Sequence, residues 1–196
     1  MDIKTRAVNV LKTPGAEWAR IAAEPATVNS LIVGYAAPLA AIPAVCSFIG
    51  STAVGVPVPF VGTIRIGVGR GLVTAILSWV FALVGVYVAS LVVEKLAPQF
   101  RSRGDLVQAM KLVVFAYTPV WVAGVLNIFP PLSVLAILAA FYAIYLFYLG
   151  LPPVMGTPQE SVIPYMAVAA IVIIVITVVL GACAAAIAGL GAMSGI

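Results

Sequence analysis

The chain has 196 residues, of which 64% are apolar and 8% charged, with a mean hydropathy of +1.22. A soluble domain is about 45–50% apolar and about 25% charged, so a water-soluble globular fold is excluded and a membrane domain of several spans is expected. There is no His, which removes His-based acid–base catalysis, Ser–His and Cys–His nucleophiles and His-ligated metals together.

The first 29 residues carry Lys4, Arg6, Lys12 and Arg20 and read as two short interfacial helices. On the first, Ile3, Ala7, Val10 and Leu11 share a face, with Thr5, Asn9 and Lys12 opposite and Lys4 and Arg6 placed to snorkel. Thr13-Pro14 marks an N-cap and first helical position for the second. Trp18, Ile21 and Ala22 form its apolar side, Glu17, Arg20 and Glu24 can pair along it, and Pro25 ends it. Lys4, Arg6, Lys12, Trp18 and Arg20 are the candidate contacts with the lipid interface. A stretch this long and polar ahead of the first apolar run does not suit a signal peptide.

Five apolar segments follow, at about 30–49, 71–93, 106–126, 132–149 and 162–186. None contains Asp or Glu, and Lys111 is their one basic residue. Each is long enough for about 30 Å of hydrocarbon. The expected fold is therefore an all-α bundle of five spanning helices over 30–196, preceded by the interfacial segment 1–29. The net charge of +4 reads as topology and not as nucleic-acid binding, because the basic residues sit at span ends. Lys4, Arg6, Lys12, Arg20, Lys95, Arg101, Arg103 and Lys111 fall on one side, Arg65 and Arg70 on the other. The positive-inside rule then puts the N-terminus in the cytoplasm and the C-terminus outside.

The connection 50–70 is long and mostly apolar. Val56-Pro57-Val58-Pro59 must be extended, and Ile64, Ile66 and Val68 alternate with Arg65, Gly67 and Gly69. A hairpin arm, an interfacial segment, the start of span two and a re-entrant segment all remain open. Gly67-Val68-Gly69-Arg70-Gly71 lacks the Lys-Ser/Thr ending and the strand–helix context of a phosphate loop, and reads as turn chemistry.

Within the spans, Pro38, Pro43 and Pro119 each leave a carbonyl without its helical partner. Thr118 could satisfy backbone freed by Pro119. Tyr117, Thr118, Pro119, Tyr142, Tyr145 and Tyr148 form a candidate cleft or structural polar cluster. Gly181, Ala185 and Gly189, every fourth residue, form a candidate helix-packing stripe. Cys46 and Cys183 lie in apolar runs and read as small packing residues. No metal site or cofactor is expected. No carboxylate falls in mid-membrane, which weakens proton- or sodium-coupled transport.

The order of features is informative as a set: Pro14, Trp18, Ile21 and Glu24; a basic loop; Phe115-Ala116-Tyr117-Thr118-Pro119; Pro130-Pro131; Tyr145-Leu146-Phe147-Tyr148-Leu149-Gly150; then Leu151-Pro152, Met155 and Pro158. This order resembles the Yip1 domain family, in its short prokaryotic five-span branch. The resemblance implies a polytopic membrane protein with a cytosolic N-terminus. Eukaryotic relatives act in early secretory traffic, associate with lipid-modified Rab GTPases and assemble with one another. Small-GTPase binding is not carried over, since those relatives have a longer cytosolic N-terminal region. The expected function is non-enzymatic: a membrane-organising or scaffold/adaptor protein of the inner membrane, with lipids, further copies of itself or other membrane proteins as partners. The rival expectation is a transporter or channel for a small or lipidic solute, through a cleft lined by spans one, three and four.

Overall fold

The computed structural model describes residues 2–58, 60 and 62–193, with side-chain surroundings given as far as residue 181 except at 177 and 180. Two short helices, α1 (Ile3–Lys12) and α2 (Pro14–Ala23), precede five membrane-crossing helices. Span one is Val28–Val54, span two Val68–Phe100, span three Leu106–Ile128 and span four Pro130–Met155. Span five starts at Gln159, and its helix continues to Met193. Each expected span is present, and each is longer than the apolar run that announced it. A 33-residue helix such as span two measures about 50 Å, more than the hydrocarbon thickness. Its ends therefore reach the headgroup zones.

Span three is the axis of the bundle. Of its most apolar stretch 67% is buried, against 33% or less in each of the other four. It packs against α2 and against spans one, two and four, while span five lies against spans two and four. The outward faces of the remaining spans stay apolar: Leu138 is 67% exposed, Phe141 65% and Ile171 63%. In water such a surface would aggregate; in a bilayer it is the solvent-facing side.

The prolines shape this packing. Ahead of Pro38, span one takes a π-helical turn over Ile32–Ala36, which absorbs the missing N–H, and it continues as regular helix through Ala37–Ile49. Span three breaks at Tyr117, two residues before Pro119, and resumes over Thr118–Ala123. Its start is capped by Asp105, whose carboxylate accepts from the Val107 N–H at 2.8 Å. Spans one and three then meet backbone to backbone, because a Cβ at Gly124 would lie 2.5 Å from the Cβ of Pro43.

The 50–70 connection resolves into a two-stranded antiparallel hairpin, β1 (Val56–Val58) and β2 (Gly62–Ile64), pairing Val56 with Ile64 and Val58 with Gly62. A hairpin arm is formed, and the end of the connection is the start of span two. The alternation stops at Ile64, and Val68 already belongs to span two.

Candidate functional site

The helices α1 and α2 form where the pattern placed them, and Pro14 opens the second. Thr13 makes no side-chain cap; its hydroxyl donates back to the Asn9 carbonyl at 3.2 Å. The chain reverses at Thr13, so α1 folds back on α2; α2 packs against spans three and four, and α1 packs against span three and is reached by Tyr142 of span four.

This reversal corrects the interfacial reading at two of its five residues. Arg6 is 5% exposed and Trp18 1% exposed, so both belong to the interior and neither can reach lipid. The cause is steric and electrostatic. Trp18 packs directly on Gly150 of span four, where a Cβ would come within 2.8 Å of the indole and 2.6 Å of Leu112. Only glycine admits the ring so close. Arg6 is drawn inward by two carboxylates. It donates to Glu17 Oε1 at 2.6 Å through Nη1 and to Glu24 Oε2 through Nη2. Lys4, Lys12 and Arg20 remain exposed, and Arg20 lies 3.7 Å from Glu17 Oε2.

Around this ion pair the structure assembles a compact polar cluster. Glu17 is 1% exposed; its second oxygen accepts from Asn9 Nδ2 at 3.4 Å. Lys111, buried in span three, donates to the Glu24 carbonyl at 2.6 Å and to the Ala22 carbonyl at 3.4 Å. A cation there satisfies carbonyls that α2 leaves free at its C-terminus and faces the negative end of the helix dipole. The Arg6 guanidinium stands 5.7 Å from the centre of the Phe115 ring, a cation–π contact. Phe115 in turn packs against Tyr35 in an edge-to-face arrangement, the ring centres 4.7 Å apart and the planes at 61°. Tyr35, on the π-helical turn of span one, shares a 3.0 Å hydrogen bond with Thr118 of span three. Phe115 is about 14 Å along span three from Leu106 at 1.5 Å per residue. The charges are therefore carried well into the bundle by a segment that precedes the first span. The apolar runs of the spans hold no Asp or Glu; Glu17 stays outside the spans, on α2, and meets span three through Arg6 and Phe115.

The six residues expected to form one cleft or polar cluster are distributed. Thr118 bonds to Tyr35, not to backbone freed by Pro119. Tyr142 donates to the Leu11 carbonyl of α1 at 2.7 Å and leans on Tyr145 at 5.8 Å. Tyr145 is 49% exposed and Tyr148 half-buried. Pro119 is buried beside Thr118. Tyr117 walls two separate lateral crevices. One, of about 410 Å³, lies between spans three, four and five and is lined by Ala116, Val120, Ala143, Phe147 and Met166 among others. The second, of about 440 Å³, lies between spans one, two and three, with Pro43, Phe81 and Trp121 in its walls. Gly181 borders this second crevice, whereas the surroundings of Ala185 and Gly189, the rest of the proposed stripe, lie outside the described residues. Cys46 is buried and free, and Cys183 lies outside those side chains. Among the described residues no group of three His, Cys, Asp or Glu side chains could hold a metal.

Sequence reasoning missed Glu17, Glu24 and Lys111 as partners of one site. Their separations from one another and from Arg6 take in a helix break and the whole of spans one and two. The available signal was the Thr13-Pro14 break itself, which lets two short helices face each other.

Comparison with known proteins agrees with this architecture. The Yip1 domain family model matches residues 8–181. The chain is 28% identical over 151 residues to "Inner membrane protein YohC" of Escherichia coli K12, covering 76% of this chain and 77% of the relative. The protein of the same name from Escherichia coli O6:H1, strain CFT073, matches with the same identity and coverage. No solved structure matches the chain. The family match takes in both the Arg6 partners Glu17 and Glu24 and four complete spans, and on that extent the chain belongs to the Yip1 domain family.

Proposed function

We propose that this is a non-enzymatic inner-membrane protein that organises or scaffolds membrane components through helix–helix and lipid contacts of its five-span bundle. The observation that carries the reading is how the interior charges are used. Arg6, Glu17, Glu24 and Lys111 engage one another or helix-end carbonyls, and so lock α1 and α2 into the bundle. A coupled transporter needs ionisable groups facing a water-filled path. Here the spaces between spans are lateral crevices with mainly apolar walls, suited to other helices or acyl chains. The location follows the YohC relative. The orientation, N-terminus cytoplasmic, follows the exposed Lys4, Lys12, Arg20, Lys95, Arg101 and Arg103 at one end against Arg65 and Arg70 at the other. Lys4, Lys12 and Arg20 then face the anionic cytoplasmic leaflet.

One observation favours the rival reading, passage of a small or lipidic solute, although neither crevice is the cleft expected between spans one, three and four: Tyr117 is a wall common to both. Reconstitution in phosphatidylethanolamine/phosphatidylglycerol vesicles separates the two. The scaffold reading expects ion, osmolyte and short-chain lipid movement equal to that of protein-free vesicles. Saturable, protein-dependent movement that Tyr117→Trp reduces would overturn it.

A further inference from the structure

We propose that the β1–β2 hairpin is an interfacial anchor, seated at the headgroup–acyl boundary of the leaflet opposite the N-terminal helices. This holds whether the bundle scaffolds or conducts, because it needs only that the spans cross a bilayer.

The hairpin joins the end of span one to the start of span two, so its ends are fixed at the edge of the bilayer. It does not stand alone: β1 packs against the first turns of span four, and the Ile66 N–H donates to the Ser51 carbonyl at 3.0 Å. The hairpin therefore extends sideways over the bundle end, in the plane of the interface. Its content is wrong for water. Val56, Pro57, Val58 and Ile64 make up most of the paired residues. Phe60, at the turn, is fully exposed and held at φ 65°, a region that bulky side chains rarely adopt. An isolated two-stranded ribbon is marginal in water, and an unpartnered, strained aromatic at its tip adds to the cost. Neighbouring apolar groups on the same end, Val54, Phe129, Leu132 and Val134, are exposed with it.

The charge pattern identifies the occupant. Arg65 and Arg70, both exposed, are the basic residues of this end, and no ion pair engages them among the described residues. The six acidic residues lie elsewhere: Asp2, Glu17 and Glu24 in the N-terminal segment, and Glu94, Asp105 and Glu160 at the connections between spans two and three and spans four and five. An apolar, aromatic tip next to two unpaired arginines is the composition of an interfacial element: the ring enters the acyl boundary and the guanidinium groups meet lipid phosphates. The partner is thus the phospholipid surface itself.

The test uses the full chain with Cys46→Ala and Cys183→Ala, and one added cysteine carrying an environment-sensitive fluorophore. It is reconstituted in phosphatidylethanolamine/phosphatidylglycerol vesicles. At Phe60→Cys the label is expected to emit to the blue, to lose most of its emission to lipids spin-labelled high on the acyl chain, and to resist aqueous iodide on either side. Thr63→Cys keeps Phe60 in place and serves as the second reporter, expected to show the same protection more weakly. Arg65→Gln with Arg70→Gln should weaken the protection, and more so in phosphatidylglycerol-rich vesicles. Labels at both positions that are quenched freely by iodide and untouched by spin-labelled lipid would overturn the proposal, as would protection indifferent to the arginines.

Discussion

Arg6 Nη1 reaches Glu17 Oε1 at 2.6 Å, with both side chains almost wholly buried. That one bridge links α1 to α2 and brings a charge pair into a bundle whose spans, Lys111 apart, carry no charge beyond their ends. A buried pair is a weak source of net stability, but its rupture is expensive because it strands the surviving charge. The pair therefore works as a register pin: α1 and α2 are tolerated in the bundle only in the arrangement that satisfies both groups.

Arg6→Ala should accordingly cost about 3–5 kcal/mol, the range for an orphaned buried charge. Replacing Arg6 and Glu17 together by Met and Leu should cost far less than the sum of the single changes. Unfolding titrations in detergent on the four members of this cycle give the coupling. Additive effects would mean that the two side chains do not meet.

Gly150→Ala separates local propensity from packing. In an isolated helix the change favours Ala by about 1 kcal/mol. Here the added Cβ would meet Trp18 at 2.8 Å and Leu112 at 2.6 Å, and overpacking costs about 1–3 kcal/mol. We expect a net loss of stability together with a changed Trp18 emission. A stabilised variant would show that the indole does not rest on span four.

Lys111→Met removes the donor to the Glu24 and Ala22 carbonyls. The exit of α2 should loosen, at about 1–3 kcal/mol for unsatisfied buried acceptors. Limited proteolysis of proteoliposomes opened to both sides should then cut between 20 and 28 faster than in the parent, with the spans intact. Unchanged cutting rates would place Lys111 elsewhere.

Tyr35→Phe tests the link between spans one and three. Hydrogen bonds between membrane helices average about 0.6 kcal/mol and reach about 1.7. Tyr35→Phe and Thr118→Val should therefore show a coupling of that size in a double-mutant cycle, and none if the hydroxyls bond elsewhere.

The spans were legible because the bilayer fixes both their length and their composition, and a run such as 162–186 offers no other solution. Their ends were read short, since residues such as Asn29, Ser51 and Thr52 are polar yet still helical. The hairpin was legible only as one of several possibilities, because Ile64, Ile66 and Val68 alternate like a strand while Val68 is the first residue of a helix. The charged cluster was not legible. Arg6 pairs with residues 11 and 18 positions later, and Lys111 meets a carbonyl 87 positions before it. Helical periodicity reports which face a residue occupies, not what the face meets. A surface lysine and a buried arginine on a short basic helix look alike until the chain reversal at Thr13 is known.

The most direct test that α1 and α2 are seated in the bundle is a cross-link between α1 and span four. The Tyr142 hydroxyl touches the Leu11 carbonyl at 2.7 Å, so Leu11→Cys and Tyr142→Cys, with Cys46 and Cys183 changed to Ala, should join within one chain through a short bis-maleimide in native membranes. Adding Arg6→Ala should reduce that yield. Cysteines that label singly but never join, or a yield indifferent to Arg6, would mean that α1 lies on the membrane surface and that the charged cluster does not hold it in the bundle.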